Sequence, residues 1–164
     1  MNFHLLSSAG QEEGRNKYKT LSKDLKQICT TYGATVVTTA EYRKVPRGQK
    51  PVNDDLAETV ALVYDSNAIM HLYSELHDLR EEALLYTYDE QGNKVGIIEE
   101  IWGKNKVSSF KNSIWYQFIP EKAMYVEVSE SFVMGIRDSN MMAIEGEKLE
   151  KKSNNDYGAL NTFE

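Results

Sequence analysis

Apolar residues recur at Tyr18, Leu21, Leu25, Ile28 and Tyr32, three or four positions apart, with lysines, Asp24 and Gln27 between them. This spacing predicts an amphipathic helix over residues 15–32 with one buried stripe. Gly33 follows directly, the residue expected just past a helix C-terminus. Residues 35–39, TVVTT, have the β-branched composition of a buried strand closing on Glu41. A short apolar stretch at residues 3–6 predicts a strand ahead of the helix, after which residues 7–14 form a polar loop. Strand, helix and strand in this order imply a right-handed βαβ crossover and a parallel sheet.

Further along, Asn53, Asp54 and Asp55 offer an N-cap and first-turn acids to a helix running from Asp54 to about Val63. Residues 68–73 read as another buried strand, and residues 74–82 as a loop or frayed helical turn. The texture then changes. Residues 84–88, a turn at 89–93 and residues 95–102 predict a strand–turn–strand. Residues 108–119 alternate in part through Phe110, Ile114, Tyr116 and Phe118; Pro120 breaks the run, and residues 124–128 supply a last strand. The pattern predicts an α/β domain over residues 1–128, parallel in its first half and antiparallel in its second. From Ser129 the pattern weakens, residues 145–152 are charge-dense, and residues 129–164 are expected to be a weakly structured or mobile tail.

Composition adds limits. A length of 164 residues suits one domain, and 41% hydrophobic with 27% charged residues is ordinary for a globular chain. The single cysteine, Cys29, excludes an internal disulfide and fits a reducing cytoplasm. No apolar run approaches transmembrane length. A chain that opens inside a strand-like segment also reads as the continuation of something longer.

The net charge of -6 excludes a surface that is basic throughout. Against it stands one local reversal of sign. Between Tyr42 and Val52 lie Arg43, Lys44, Arg47 and Lys50 and no acid, with Pro46, Gly48 and Pro51 as breakers. A cationic loop at the end of a buried strand is suited to a polyanion, although an exposed basic loop is the usual fate of such a cluster. His4, His71 and His77 lack metal-ligand spacing and read as core or edge histidines. Trp102, Trp115, Tyr116 and Phe118 read as core packing, and Cys29 has no partners for nucleophilic chemistry. Asp54, Asp55 and Glu58 read as helix-capping acids.

Four stretches, in order, resemble the RecA-type motor domain of DnaB-like replicative helicases, particularly phage-like members. They are NFHLL at residues 2–6; RNKY at 15–18, continuing to Tyr32 and VVTTAE at 36–41; KPVNDDLAE at 50–58, ending in YDSN at 64–67; and GKNKVSSF at 103–110. The resemblance covers residues 2–128. It implies a RecA-like fold, ATP and Mg as cofactors of the family, single-stranded DNA as a partner, and a ring of like subunits. By position it implies Glu41 as the sensor of nucleotide state, and Arg43, Lys44, Arg47 and Lys50 as the DNA loop facing the ring channel. Lys104 and Lys106 match the cations inserted toward a neighbour's γ-phosphate.

The departures are specific. No GxxxxGK[ST] loop occurs in the sequence, so the lysine and hydroxyl that hold phosphates and magnesium are missing. The Walker B aspartate would fall at Met1 or before it. Glu41 stands where many relatives carry glutamine, and Lys106 where an arginine is common. The chain therefore looks like the C-terminal part of a motor, inactive as an ATPase alone and completed by an N-terminal half or a partner chain. The alternative is a non-catalytic RecA-fold protein that binds nucleic acid or a helicase partner. A Lys-x-Lys pair is most often a solvated strand end, and Glu41 fits a plain strand-end acid as well as a sensor.

Overall fold

The computed structural model describes the backbone of residues 15–57 and 60–160 and the side chains of residues 16–57 and 60–150. The strand expected at residues 3–6 lies outside them. The described chain is α/β, with strands hydrogen-bonded in the order β1–β3–β4–β5 and β2 pairing with β3 off this path. These are β1 Ala68–Ser74, β2 Tyr86–Tyr88, β3 Lys94–Asn105, β4 Ser113–Ile119 and β5 Met124–Val128. The helices are α1 Arg15–Tyr32, α2 Val60–Asp65, α3 Glu75–Leu79 and α4 Glu130–Leu160. Two compact units divide the chain: residues up to Tyr73 with Glu100–Ser113, and Ser74–Glu99 with residues from Ile114 onward.

In the first unit, α1 buries Leu21 and Ser22 and ends at Gly33, whose φ of 62° is the left-handed conformation its position requires. Its tie to α2 is polar. Ser22 Oγ donates to Asp65 Oδ2 at 2.7 Å, and Lys26 Nζ lies 3.6 Å from Asp65 Oδ1. An acid on the last residue of a helix opposes the macrodipole, and these two α1 side chains compensate it.

Two expectations change here. Residues 35–39 form no named strand, and Val37 is 70% exposed; β-branched composition favours a pleated surface only where neighbouring strands supply one. The helix expected from Asp54 is replaced by a 3₁₀ turn, Asn53–Asp55, then an extended Leu56, with α2 beginning at Val60. Leu56 is drawn out of helical geometry because it pairs in an antiparallel bridge with Tyr42.

The second unit is built on two antiparallel ladders. β2 meets β3 with Tyr86 opposite Gly96 and Tyr88 opposite Lys94, and β4 meets β5 from Trp115 opposite Val128 to Ile119 opposite Met124. The β2–β3 turn forms where the sequence places it. Asp89 Oδ1 accepts from the amides of Gln91 (3.0 Å) and Asn93 (2.7 Å), and Gly92 takes φ 82°. Those bonds hold the Asp89 carboxyl below the usual carboxylate range, the Asn93 side chain contributing most.

The tail expected from Ser129 is instead the 31-residue helix α4. Ser129 Oγ accepts from Phe132 N at 3.2 Å as its N-cap, and Val133 is 1% exposed beside Leu85 and Ile97. Its remaining anchors are polar. Asn140 Nδ2 donates to the carbonyls of Leu84 (2.8 Å) and Tyr86 (3.0 Å), and Arg137 meets Glu75 Oε2 at 2.7 Å. Glu75 is buried, and its Oε1 accepts from the amides of Leu84 (2.6 Å) and Leu85 (3.3 Å). Low mean hydropathy hid a helix fastened by a few buried side chains and hydrogen bonds.

Candidate nucleic-acid interface

The cationic segment is a loop with closed ends. Arg43 N donates to Asp55 O at 2.7 Å, Ala57 N donates to Glu41 O at 2.9 Å, and Tyr42 bridges Leu56 between them. Within the loop, Gln49 N donates to Pro46 O at 3.1 Å around Gly48, whose φ of 81° is what the third position of a type II turn demands. The 3₁₀ turn is held by Val52 N donating to Asp55 Oδ2 at 2.8 Å. Arg43, Lys44, Arg47 and Lys50 are all exposed, so one tied loop presents all four to solvent. Glu41 is exposed at its base, and its carbonyl forms part of the closure.

The closing residues continue into the interior. Tyr42 Oη lies 3.0 Å from His71 Nδ1, His71 Nε2 lies 2.9 Å from Asn53 Oδ1, and Asn53 Nδ2 donates to Gly103 O at 2.9 Å. His71 is 1% exposed. Burial pushes its pKa below the ordinary value, and the Asp55 carboxylate partly opposes that. Burial likewise raises the Tyr42 phenol, a hydrogen bond to the Leu72 backbone acting the other way. Gly103 permits this packing, because a Cβ there would lie well under 3.0 Å from both Asn53 Oδ1 and His71 Nε2.

Gly103 opens the Gly-Lys-Asn-Lys end of β3. Lys104 is half-buried, and its ammonium donates to the carbonyls of Val63 and Tyr64 near the C-terminal end of α2, a favourable place for a cation. Burial, then the nearby charge of Lys106, lowers its pKa. The Lys106 side chain is exposed, and its amide donates to Asn67 O at 2.8 Å. Asn105 organises the turn: its Oδ1 accepts from Val107 N and Ser108 N, both at 3.0 Å, and its Nδ2 donates to Ser108 Oγ and Phe110 O.

Thus the four loop cations share one loop, and Lys104 and Lys106 share one strand end. Asn53 hydrogen-bonds the loop directly to that strand. The two lysines differ, since Lys104 is engaged by α2 and Lys106 projects into solvent. The linking residues, His71 and Asn53, are the ones that sequence reading assigns to core and cap. A signal was present in Gly103, because a glycine within a strand marks close approach of another group.

A complete nucleotide site does not fit the residues present. No phosphate loop exists in the sequence, and the lysine nearest the sheet, Lys104, is occupied by two backbone carbonyls. Among the described residues no cluster of three or more histidine, cysteine or acidic groups is arranged for a metal ion, and no helix is long and apolar enough to cross a membrane.

A mixed sheet with flanking helices and these two cationic elements is the fold of a RecA-like ATPase domain. No family model and no curated protein matches the chain. Among solved structures, the ATPase domain of a DnaB-like phage helicase matches with a TM-score of 0.64 at 22% sequence identity. The match covers 78% of this chain and 43% of that one, so the chain spans less than half of its structural neighbour.

Proposed function

We propose that the chain is part of an ATP-dependent DNA helicase motor of DnaB-like type. Arg43, Lys44, Arg47 and Lys50 hold the phosphates of single-stranded DNA without reading its bases. Glu41 lies at the base of that loop as the sensor position. Lys106 offers a cation to a phosphate held by another chain, while Lys104 positions the strand end from which Lys106 projects. ATP and Mg belong to the assembled ring of like subunits and its nucleotide-binding half, and this chain alone binds neither productively. The observation that carries the reading is the hydrogen-bonded join between the basic loop and the lysine-bearing end of β3, in a RecA-like fold.

Binding of a labelled oligo(dT) across a salt series tests the DNA assignment. Affinity that falls steeply with salt and drops when the four cations are replaced by glutamine supports it; affinity indifferent to those replacements overturns it. Robust ATP turnover by the isolated chain, abolished by Lys106→Ala, would overturn the reading that the chain is only part of a motor. A second reading is a non-catalytic RecA-fold protein that binds nucleic acid or a helicase partner. The missing phosphate loop and the engaged Lys104 favour it. Failure of the chain to restore ATPase activity when mixed with a nucleotide-binding half would select it.

A further inference from the structure

We infer that His71 and Asn53 are positioning residues that hold the basic loop and the lysine-bearing end of β3 as one mechanical unit. The direction of every hydrogen bond in the chain follows from one fixed end. Gly103 O is a carbonyl and can only accept, so the group facing it at 2.9 Å is the Asn53 NH₂. Asn53 Oδ1 must then accept from its other neighbour, which places the proton of His71 on Nε2. His71 Nδ1 is left as an acceptor and takes the Tyr42 hydroxyl hydrogen. Tyr42 to His71 to Asn53 to Gly103 is therefore one uninterrupted donor-to-acceptor sequence, with each polar atom satisfied.

Both ends of this sequence are fastened to the candidate sites. Tyr42 immediately precedes Arg43, whose amide is bonded to Asp55 O. Gly103 immediately precedes Lys104, and the amide of Lys106 is bonded to Asn67 O. The Tyr42 and Asn53 ends of the cationic loop meet on the two nitrogens of a single imidazole, which β1 holds buried. A displacement of the strand end that breaks the Asn53 bond strands a buried amide and a buried imidazole, so loop and strand favour moving together. The functional weight of this coupling rests on the DNA and phosphate roles proposed above; its physical test does not.

The test cuts the sequence at one end and reads it at the other, by amide hydrogen exchange on the full chain. Tyr42→Phe keeps the ring packing against His71 and removes only the hydroxyl. The coupled unit requires exchange at Lys106 N to rise by about fivefold or more, the lower range of intersite coupling. Exchange at Ile97 N, bonded to Leu85 O in the other unit, should stay unchanged. Faster exchange at Arg43 N with Lys106 N unmoved would mean a local contact only and would overturn the proposal. If Tyr42→Phe loosens Ile97 as well, the wild-type chain decides through the ¹⁵N shifts of the His71 ring: the Nε2–H tautomer is required, and the Nδ1–H tautomer refutes it. Neither readout uses DNA, so absence of oligo(dT) binding would count against the proposed function without touching this inference.

Discussion

The Asn53 side chain occupies the space beside Gly103 where any other residue would place its Cβ, and its amide donates to the Gly103 carbonyl at 2.9 Å. A strand glycine and a turn asparagine 50 positions apart are thus made for each other. Gly103→Ala should push Asn53 and the His71 ring aside and open the donor-to-acceptor sequence. Overpacking of this kind costs typically about 1–3 kcal/mol, and a stranded buried amide adds about 1–3 kcal/mol more. Thermal unfolding should show a clearly lowered midpoint, while Gly146→Ala, where an added Cβ meets nothing within 4 Å, should not. An unchanged midpoint for Gly103→Ala would show that the close approach is absent in solution.

The buried His71 makes stability depend on pH in a definite direction. Its folded-state pKa is depressed, chiefly by burial, so the unfolded chain binds the proton more readily. Stability linked to His71 is therefore fully present above about 6.5, the unperturbed imidazole value, and is lost as pH falls from there through the depressed folded value. Asp55 raises the pKa against that trend. Asp55→Asn, which keeps an acceptor for Val52 N, should depress the His71 titration further in an NMR pH series. An upward movement would mean that the carboxylate does not act on this ring.

The loop cations predict a salt law. Neutralising four phosphates of a single strand gives log K against log salt a slope of about -2.8, at about -0.7 per phosphate. Replacing Arg47 and Lys50 by glutamine should reduce that slope by about 1.4 and weaken binding to all sequences alike. Fluorescence anisotropy with oligo(dT) and a mixed-sequence oligomer at several salt concentrations measures both. A preference between the two oligomers that changes on mutation would point to base contacts rather than phosphate contacts.

How much of this was legible in the sequence depended on how local the cause was. The α1 helix with Gly33, the Asp89 to Asn93 turn, the break at Pro120 and the strand Met124–Val128 follow from spacing and turn chemistry within a few residues. Residues 35–39 misled because strand propensity records fitness for a sheet surface, not the presence of neighbours. The cationic residues were visible as a charge pattern. Their connection was not, since it runs through Asn53 and His71, 18 positions apart, and then Gly103; read singly, each has an ordinary local role.

The same reasoning bears on α4, whose apolar pattern is weak and whose docking depends on a buried acid. Glu75 accepts two backbone amides at Leu84 and Leu85 and pairs with Arg137 of the helix at 2.7 Å. Glu75→Ala leaves two amides without their acceptor and a guanidinium without its counter-charge. Breaking a buried pair by removing one partner costs about 3–5 kcal/mol; because the Arg137 side chain is 42% exposed, the lower end applies. Arg137→Ala should cost less than Glu75→Ala, since it removes one bond and leaves the carboxylate its two amides. Chemical denaturation of the three chains tests this order. Equal losses would mean that the ion pair, rather than the backbone amides, dominates what Glu75 does. Loss of helical circular dichroism in Glu75→Ala ahead of global unfolding would show that this carboxylate is what fastens α4.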